Sequence, residues 1–303
     1  MCGAVLVLRL RARPLGLGSG ASGHAARACA ILGLRCRKRG ARFTKLFDYH
    51  MHSTYSPDAR STLDEMCEGA VRRGLAGVCF AEHVDFDPTD AAYGYINYKR
   101  YLSDVDRCRD KYGDRLDIKA GVEVTYQAEF ADDIRDFLDT HRFDHVLGSV
   151  HLIDHVFVGS PSYFVGKSEA EACEPYWRET MSMARSGLFT RIGHLDYIKT
   201  RWPREYGPSG LDRWRGPMTD ILQMVIESGA IIEVNTSAIR RQLGGPYPDW
   251  ETLELYRQLG GSGVTMGSDA HNASDVGQYF PEVAARLERM GLAVRSECEA
   301  LCP

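Results

Sequence analysis

Residues 45–58 read KLFDYHMHSTYSPD. The apolar run KLFDY ends in His50-Met51-His52, and a polar segment containing Ser56-Pro57 follows. Residues 62–73, TLDEMCEGAVRR, then carry a helical signature. Thr62 and Glu65 have capping-box spacing, and Leu63, Met66 and Ala70 share one helical face. The stretch is therefore strand, loop, helix. Its loop is not the Gly-rich phosphate turn that opens a doubly wound dinucleotide-binding sheet.

The same rhythm recurs down the chain. Apolar runs ending in polar residues are LAGVCFAEH (75–83), LDIKAGVEV (116–124), HVLGSVH (145–151), LFTRIGH (188–194), AIIEVNT (230–236) and GVTMGSDAH (263–271). Helical stretches are expected at 62–73, 98–112, 127–139, 169–186, 215–229, 248–260 and 274–291; the fifth has Met218, Ile221, Leu222 and Val225 on one face. Seven strand–helix units imply parallel strands, and that many tend to close as a barrel. The expected fold is an α/β, distorted (β/α)7 TIM-like barrel, with its chemistry at the C-terminal strand ends.

Six of the seven runs deliver a His or a carboxylate at that same end: His50 and His52, Glu82 and His83, Glu123, His151, His194, Asp269 and His271. Residues i and i+2 of a strand share a face, so His50 and His52 aim together, as do Asp269 and His271. Imidazole and carboxylate donors without thiolates suit zinc, manganese or iron. So many donors exceed one tetrahedral ion and point to two or three divalent ions. His145 starts its run and belongs at the opposite end. His155 is a loop alternative to His151. Asp58, after Ser-Pro, is either a turn residue or a ligand reaching back from the first loop.

The net charge of −4 conceals an asymmetry. Residues 1–47 hold ten Lys and Arg and no acid, which leaves 27 basic and 41 acidic residues in 48–303, a net of −14. An acidic body disfavours a nucleic-acid footprint, which wants clustered Lys and Arg. The basic head, residues 1–44, reads as a disordered or non-native extension, with an organellar transit peptide as the alternative. The barrel domain is 45–303. No apolar stretch is long enough to span a membrane, and nine cysteines without a CxxC point to reduced thiols and a cytoplasmic protein.

The pieces DYHMHSTYSPDA, FAEHVDF, GVEVTY, LGSVHLID, GHLDYIK, IEVNTSAIR and MGSDAHN, in this order, resemble the PHP (polymerase and histidinol phosphatase) superfamily. Within it the likeness is nearest to the stand-alone histidinol-phosphatases, and it runs from about 45 to about 285. The resemblance implies a distorted (β/α)7 barrel with three metal positions. His50, His52, Glu123 and Asp269 would hold the first ion. Glu123 would bridge to a second, held also by His151 and His194. Asp58, His83 and His271 would hold the third. Many relatives place a His where Asp58 stands, so the third position is the least regular.

The implied activity is phosphoric monoester hydrolysis, L-histidinol phosphate and water giving L-histidinol and phosphate in histidine biosynthesis. A metal-bound hydroxide bridged by Glu123 would attack phosphorus, so no nucleophile such as Cys79 is needed. Cationic phosphate donors are expected in the loops after the fifth and sixth strands: Lys199, Arg201 and Arg240. Glu233 and Asn235 would line the pocket, and Tyr55, Tyr126 and Trp202 would flank an imidazole ring. The alternatives are a PHP-type nuclease or nucleotide phosphoesterase, which shares every ligand, and a non-catalytic metal-binding module.

Overall fold

Strand β1 (Phe47–Met51) lies beside β2 (Gly77–Val84), which follows helix α1 (Leu63–Arg73). The computed structural model describes residues 46–295, so the head expected over 1–44 lies outside the described residues. The rhythm continues through α2 (Tyr98–Tyr112), β3 (Asp117–Thr125), α3 (Ala131–Thr140) and β4 (His145–Ser149). A two-stranded hairpin, β5 (Leu152–Ile153) and β6 (Val156–Phe157), then precedes α4 (Glu169–Arg185). The chain continues with β7 (Arg191–Ile192), α5 (Leu211–Glu227), β8 (Ile231–Asn235), a short α6 (Ser237–Arg240), α7 (Trp250–Gln258), β9 (Gly263–Gly267), α8 (Phe280–Met290) and β10 (Ala293–Val294). The capping box of Thr62 and Glu65 forms as the spacing predicts.

The main sheet runs β1-β2-β3-β4-β7-β8-β9-β10, and every neighbouring pair is parallel. This is the expected PHP-type barrel of seven strand–helix units, with a short eighth strand and the hairpin added. β10 pairs with the start of β9, Ala293 opposite Gly263. At the other end of β9 the chain turns to β1 instead: Ala270 bridges Met51, and the Asp269 N–H donates to the His50 carbonyl at 2.7 Å. The sheet thus closes on itself at its C-terminal mouth, which is the source of the distortion. Closure there sets His-x-His of β1 against Asp-x-His after β9.

One irregularity decides where the histidines point. Asp48 is paired with Val78 but Met51 with Phe80, so β1 holds one extra residue there, a β-bulge. Before it, Phe47 and Tyr49 form a small core with Cys79, apart from the main core. After it, Met51 joins the large core packed with the helices. The bulge turns His50 and His52 onto the face that Phe47 and Tyr49 occupy below. Among the described residues Cys67, Cys79, Cys108 and Cys173 are buried and none is in a disulfide. No helix among the described residues is long and apolar enough to cross a membrane.

A candidate metal centre at the barrel mouth

Glu123 is the hub of the site. It is buried in β3, its register partner in β2 is His83, and the two side chains meet with Nδ1 3.1 Å from Oε2. Its Oε2 also lies 3.2 Å from His50 Nε2 and 3.6 Å from His52 Nε2. Oε1 faces His194 Nε2 at 2.8 Å and His151 Nε2 at 3.5 Å, and accepts from Ser149 Oγ at 2.6 Å. Asp269 Oδ1 is 3.5 Å from His52 Nε2, 3.9 Å from His50 Nε2 and 3.5 Å from His271 Nδ1. Asp58 does reach back from the first loop, to 3.0 Å from His271 Nε2 and 3.5 Å from His83 Nε2. All nine sequence-predicted ligands therefore form one connected cluster.

Donor groups close enough to share an ion are His50, His52 and Glu123; His83, Glu123 and His151; and His52, His83 and His271. These overlap the three expected positions without reproducing their boundaries, since the His52 ring is sandwiched between His83 and His271 at 4.1 and 4.3 Å. The donor chemistry fits divalent ions. Ring nitrogens face one another, His50 Nε2 and His52 Nε2 at 3.0 Å and His151 Nε2 and His194 Nε2 at 3.2 Å. Lone pairs so placed want a shared cation. Burial raises the pKa values of Glu123 and Asp269, yet the surrounding histidines hold both well below the carboxylate range. Burial and the neighbouring His83 and His271 push the His52 ring well down, toward the neutral form that binds metal.

A layer of buried groups behind the cluster orients it. Glu233 Oε1 takes His50 Nδ1 at 2.7 Å, and Oε2 accepts the His194 N–H at 3.0 Å. Thr125 Oγ1 meets His151 Nδ1 at 3.0 Å. Glu82 accepts from Ser53 Oγ and Ser56 Oγ, and Ser56 Oγ in turn meets His52 Nδ1 at 3.2 Å. Asp48 accepts from the Ser268 and Gly277 N–H groups, fixing the turn that carries Asp269. That turn is strained: Asp269 has φ 51°, in the left-handed region. Such partners set tautomer and ring orientation in metal sites. Glu233 and Asn235 belong to this layer and not to the cleft lining; Asn235 Nδ2 donates to Glu233 and Asp269.

The centre opens into a cleft of about 230 Å³ lined by Asp85, Asp90, Phe157, Tyr197 and Arg241 besides seven of the nine donors. None of the three cations expected at its mouth lines it. Lys199 is buried, held by Asp196 at 2.6 Å and the Pro246 carbonyl at 3.2 Å. Arg201 is exposed and borders a different surface hollow. Arg240 spends its guanidinium on the Ser268 and Asp269 carbonyls at 2.6 and 2.9 Å. Its neighbour Arg241 faces the cleft, over the Tyr197 ring. The last residue of a short helix and the one capping it point apart, and the sequence alone does not say which points inward.

The aromatic expectations shift likewise. Tyr55 bonds Asp104, Tyr126 bonds Ser182 on α4, and Trp202 donates to the Gly207 carbonyl. All three face the helical layer, and Phe157 and Tyr197 line the cleft in their place. His145 is buried away from the cluster, its ring pushed down to about 3 by burial and by Arg191. His155 sits on the hairpin and bonds Asp87 at 2.7 Å.

The PHP domain profile matches residues 48–237. The chain belongs to the PHP domain family. A relative in Bacillus subtilis, a histidinol-phosphatase, is 31% identical over 271 residues, covering 80% of this chain and 98% of its own. A Lactococcus lactis histidinol-phosphatase is 27% identical over 234 residues, 76% of this chain and 85% of the relative. Among solved structures, the Lactococcus lactis histidinol phosphate phosphatase, complexed with zinc, L-histidinol and phosphate, superimposes with a TM-score of 0.75 at 24% identity, covering 82% of this chain and 95% of that one. A putative histidinol phosphatase of Listeria monocytogenes gives 0.69 at 20% identity, over 78% and 99%. These structures share the PHP-type barrel.

Proposed function

We propose that this protein is a metal-dependent histidinol-phosphatase, hydrolysing L-histidinol phosphate to L-histidinol and phosphate. The observation that carries the reading is the convergence of nine nitrogen and oxygen donors around buried Glu123, at the mouth where the sheet closes. Its support from kinship is the match to histidinol-phosphatases, which spans 98% of the Bacillus subtilis relative and 80% of this chain.

Two or three divalent ions fit the donors: His50, His52, Glu123 and Asp269 for one, Glu123, His151 and His194 for a second, and Asp58, His83 and His271 for a third. Bound there, such ions supply Lewis acidity, acidifying water and offsetting charge on phosphoryl oxygens. The protein's own groups do the rest. Glu123 holds both halves of the centre together. Glu233, Thr125 and Ser149 fix its rings and carboxylate. Arg241, the cation of the described cleft lining, is placed to take a phosphoryl oxygen. Asp85 and Asp90 in the same lining suit the substrate's ammonium, and Phe157 and Tyr197 its imidazole. One arginine among several carboxylates favours a small zwitterionic monoester over a nucleic-acid strand.

Phosphate release from histidinol phosphate, with added zinc or manganese, tests the reading on the full chain and on residues 45–303. Comparable turnover by both is expected. Turnover of other monoesters but not this one would overturn the substrate and leave the phosphatase.

A further inference from the structure

The hairpin of β5 and β6 stands at the rim of the cleft, and Phe157 at its end is a cleft wall although 42% exposed. Among the described aromatic rings it approaches His151 and Tyr197, with centroids 6.4 and 6.2 Å away. The hairpin base is buried through Leu152, Ile153 and Val158. Its turn is Asp154-His155, and both residues have positive φ, 50° and 62°. Two-residue turns of this hand normally use Asn-Gly or Asp-Gly, because side chains are disfavoured there. A histidine in the second position is held by something outside the turn. His155 Nδ1 lies 2.7 Å from Asp87 Oδ2.

Asp87 is a rigid anchor. It is fully buried, and it also accepts from the Thr89 N–H and Oγ1 and from Gln127 Nε2. It belongs to the loop after β2, the segment whose Asp85, Asp90, Ala91 and Ala92 line the cleft. The contact therefore joins two rims of one opening. The other charged groups facing His155 are Glu129, 3.9 Å from Nε2, and its neighbour Asp154. Arg178 and Glu179 of α4 border the same surface hollow.

We propose that His155 is a positioning residue: its contact with Asp87 clasps the hairpin to the loop after β2 and so sets Phe157 as a wall of the substrate cleft. The hydrogen bond to Asp87, then the charges of Asp87 and Glu129, hold the imidazole pKa above its ordinary value. The clasp is thus strongest when the ring is charged and weakens as pH rises through that raised pKa, leaving a neutral hydrogen bond.

The kinetic part of this inference rests on histidinol phosphate as the substrate; the structural part does not. His155→Ala should raise KM by roughly threefold, the scale of a half-exposed ion pair, with kcat little changed. His155→Gln keeps a donor without a titratable charge. The ratio of its KM to that of the wild type should fall toward one between acidic and alkaline pH. This ratio cancels the titration of the substrate and the metal centre. A ratio independent of pH, or an unchanged KM in His155→Ala, would overturn the proposal. Hydrogen–deuterium exchange of residues 152–158, compared at one pH, should be faster in His155→Ala than in the wild type. Equal exchange would refute the clasp even if another phosphate ester proves to be the substrate.

Discussion

Glu233 Oε1 lies 2.7 Å from His50 Nδ1, both side chains fully buried, and this contact turns the other ring nitrogen, Nε2, toward Glu123. A ring whose Nδ1 donates to a carboxylate presents Nε2 as a lone pair, the form a metal ligand needs. Replacing Glu233 by Ala should lower metal affinity by about 10–100-fold, the range for such orienting partners. Metal content after dialysis against graded chelator checks this.

Asp269→Ala removes a carboxylate that faces His50, His52 and His271 together. The expected result is purified protein with reduced bound metal. His151→Ala, at the far side of Glu123, should abolish most turnover while retaining metal at the His50–His52 side. Metal stoichiometry beside turnover separates the two, and full activity in His151→Ala would refute its place in the centre.

Gly267 stands where the sheet closes. A methyl group there would meet Glu233 Oε1 at 2.0 Å and His50 Cβ at 2.5 Å. Gly267→Ala should destabilise the fold by about 1–3 kcal/mol, as overpacking does, and lower metal affinity by pushing Glu233 from His50. Thermal unfolding with and without metal reads both effects.

Arg241→Ala and Arg201→Ala should differ sharply. A charged hydrogen bond to phosphate is worth about 1.5–3 kcal/mol, roughly 10–150-fold. That loss in kcat/KM is expected for Arg241, which lines the cleft, and little change for Arg201, which does not. The reverse result would restore the arginine that sequence spacing suggests.

In the metal-free protein the Glu82 carboxyl should subtract stability as pH rises from about 4.5 to about 7. Burial pushes the Glu82 carboxyl up from 4.5 to about 7, against the hydrogen bonds from Ser53 and Ser56. The folded state then holds a proton that the unfolded chain has released, so stability falls between about pH 4.5 and about pH 7. Asp48, pushed by burial to about 6, adds to the same slope. Depressed carboxylates such as Glu123 act in the opposite sense at more acidic pH, and the lowered His145 and His151 act in the opposite sense up to about pH 6.5, so the Glu82 contribution is read as a difference between variant and wild type. Glu82→Gln should remove this downward contribution between about pH 4.5 and about pH 7, read as the difference in denaturant midpoints between variant and wild type across pH; a difference that does not change with pH would count against a buried proton on Glu82.

The nine donors of the cluster were legible because the signal is repeated. A histidine at the end of one strand is ordinary, but histidines and carboxylates at the same end of successive strands require a common cause. The orienting layer was only half legible. Glu82 precedes His83 in the run AEH, and Glu233 shares a strand face with Asn235, yet nothing in either run tells a ligand from the group that aims it. The substrate side was not legible. Lys199 and Arg201 look alike as loop cations, but Lys199 is consumed by Asp196 and Arg201 turns to solvent.

The amino-acid sequence by itself determined the alternation of strand and helix, hence a parallel barrel, and the end of it at which the donors gather. Those properties are local and periodic, written in runs of a few residues. Three matters were decided only by the tertiary structure. The bulge in β1 sets which face His50 and His52 take, because a single extra residue reverses the alternation of a strand. Closure of β9 on β1 brings Asp269 to residues some 220 positions earlier. The choice of Arg241 over Arg240 follows from which guanidinium the carbonyls of Ser268 and Asp269 capture. Each depends on contacts between segments far apart in the chain, where no local pattern carries the information.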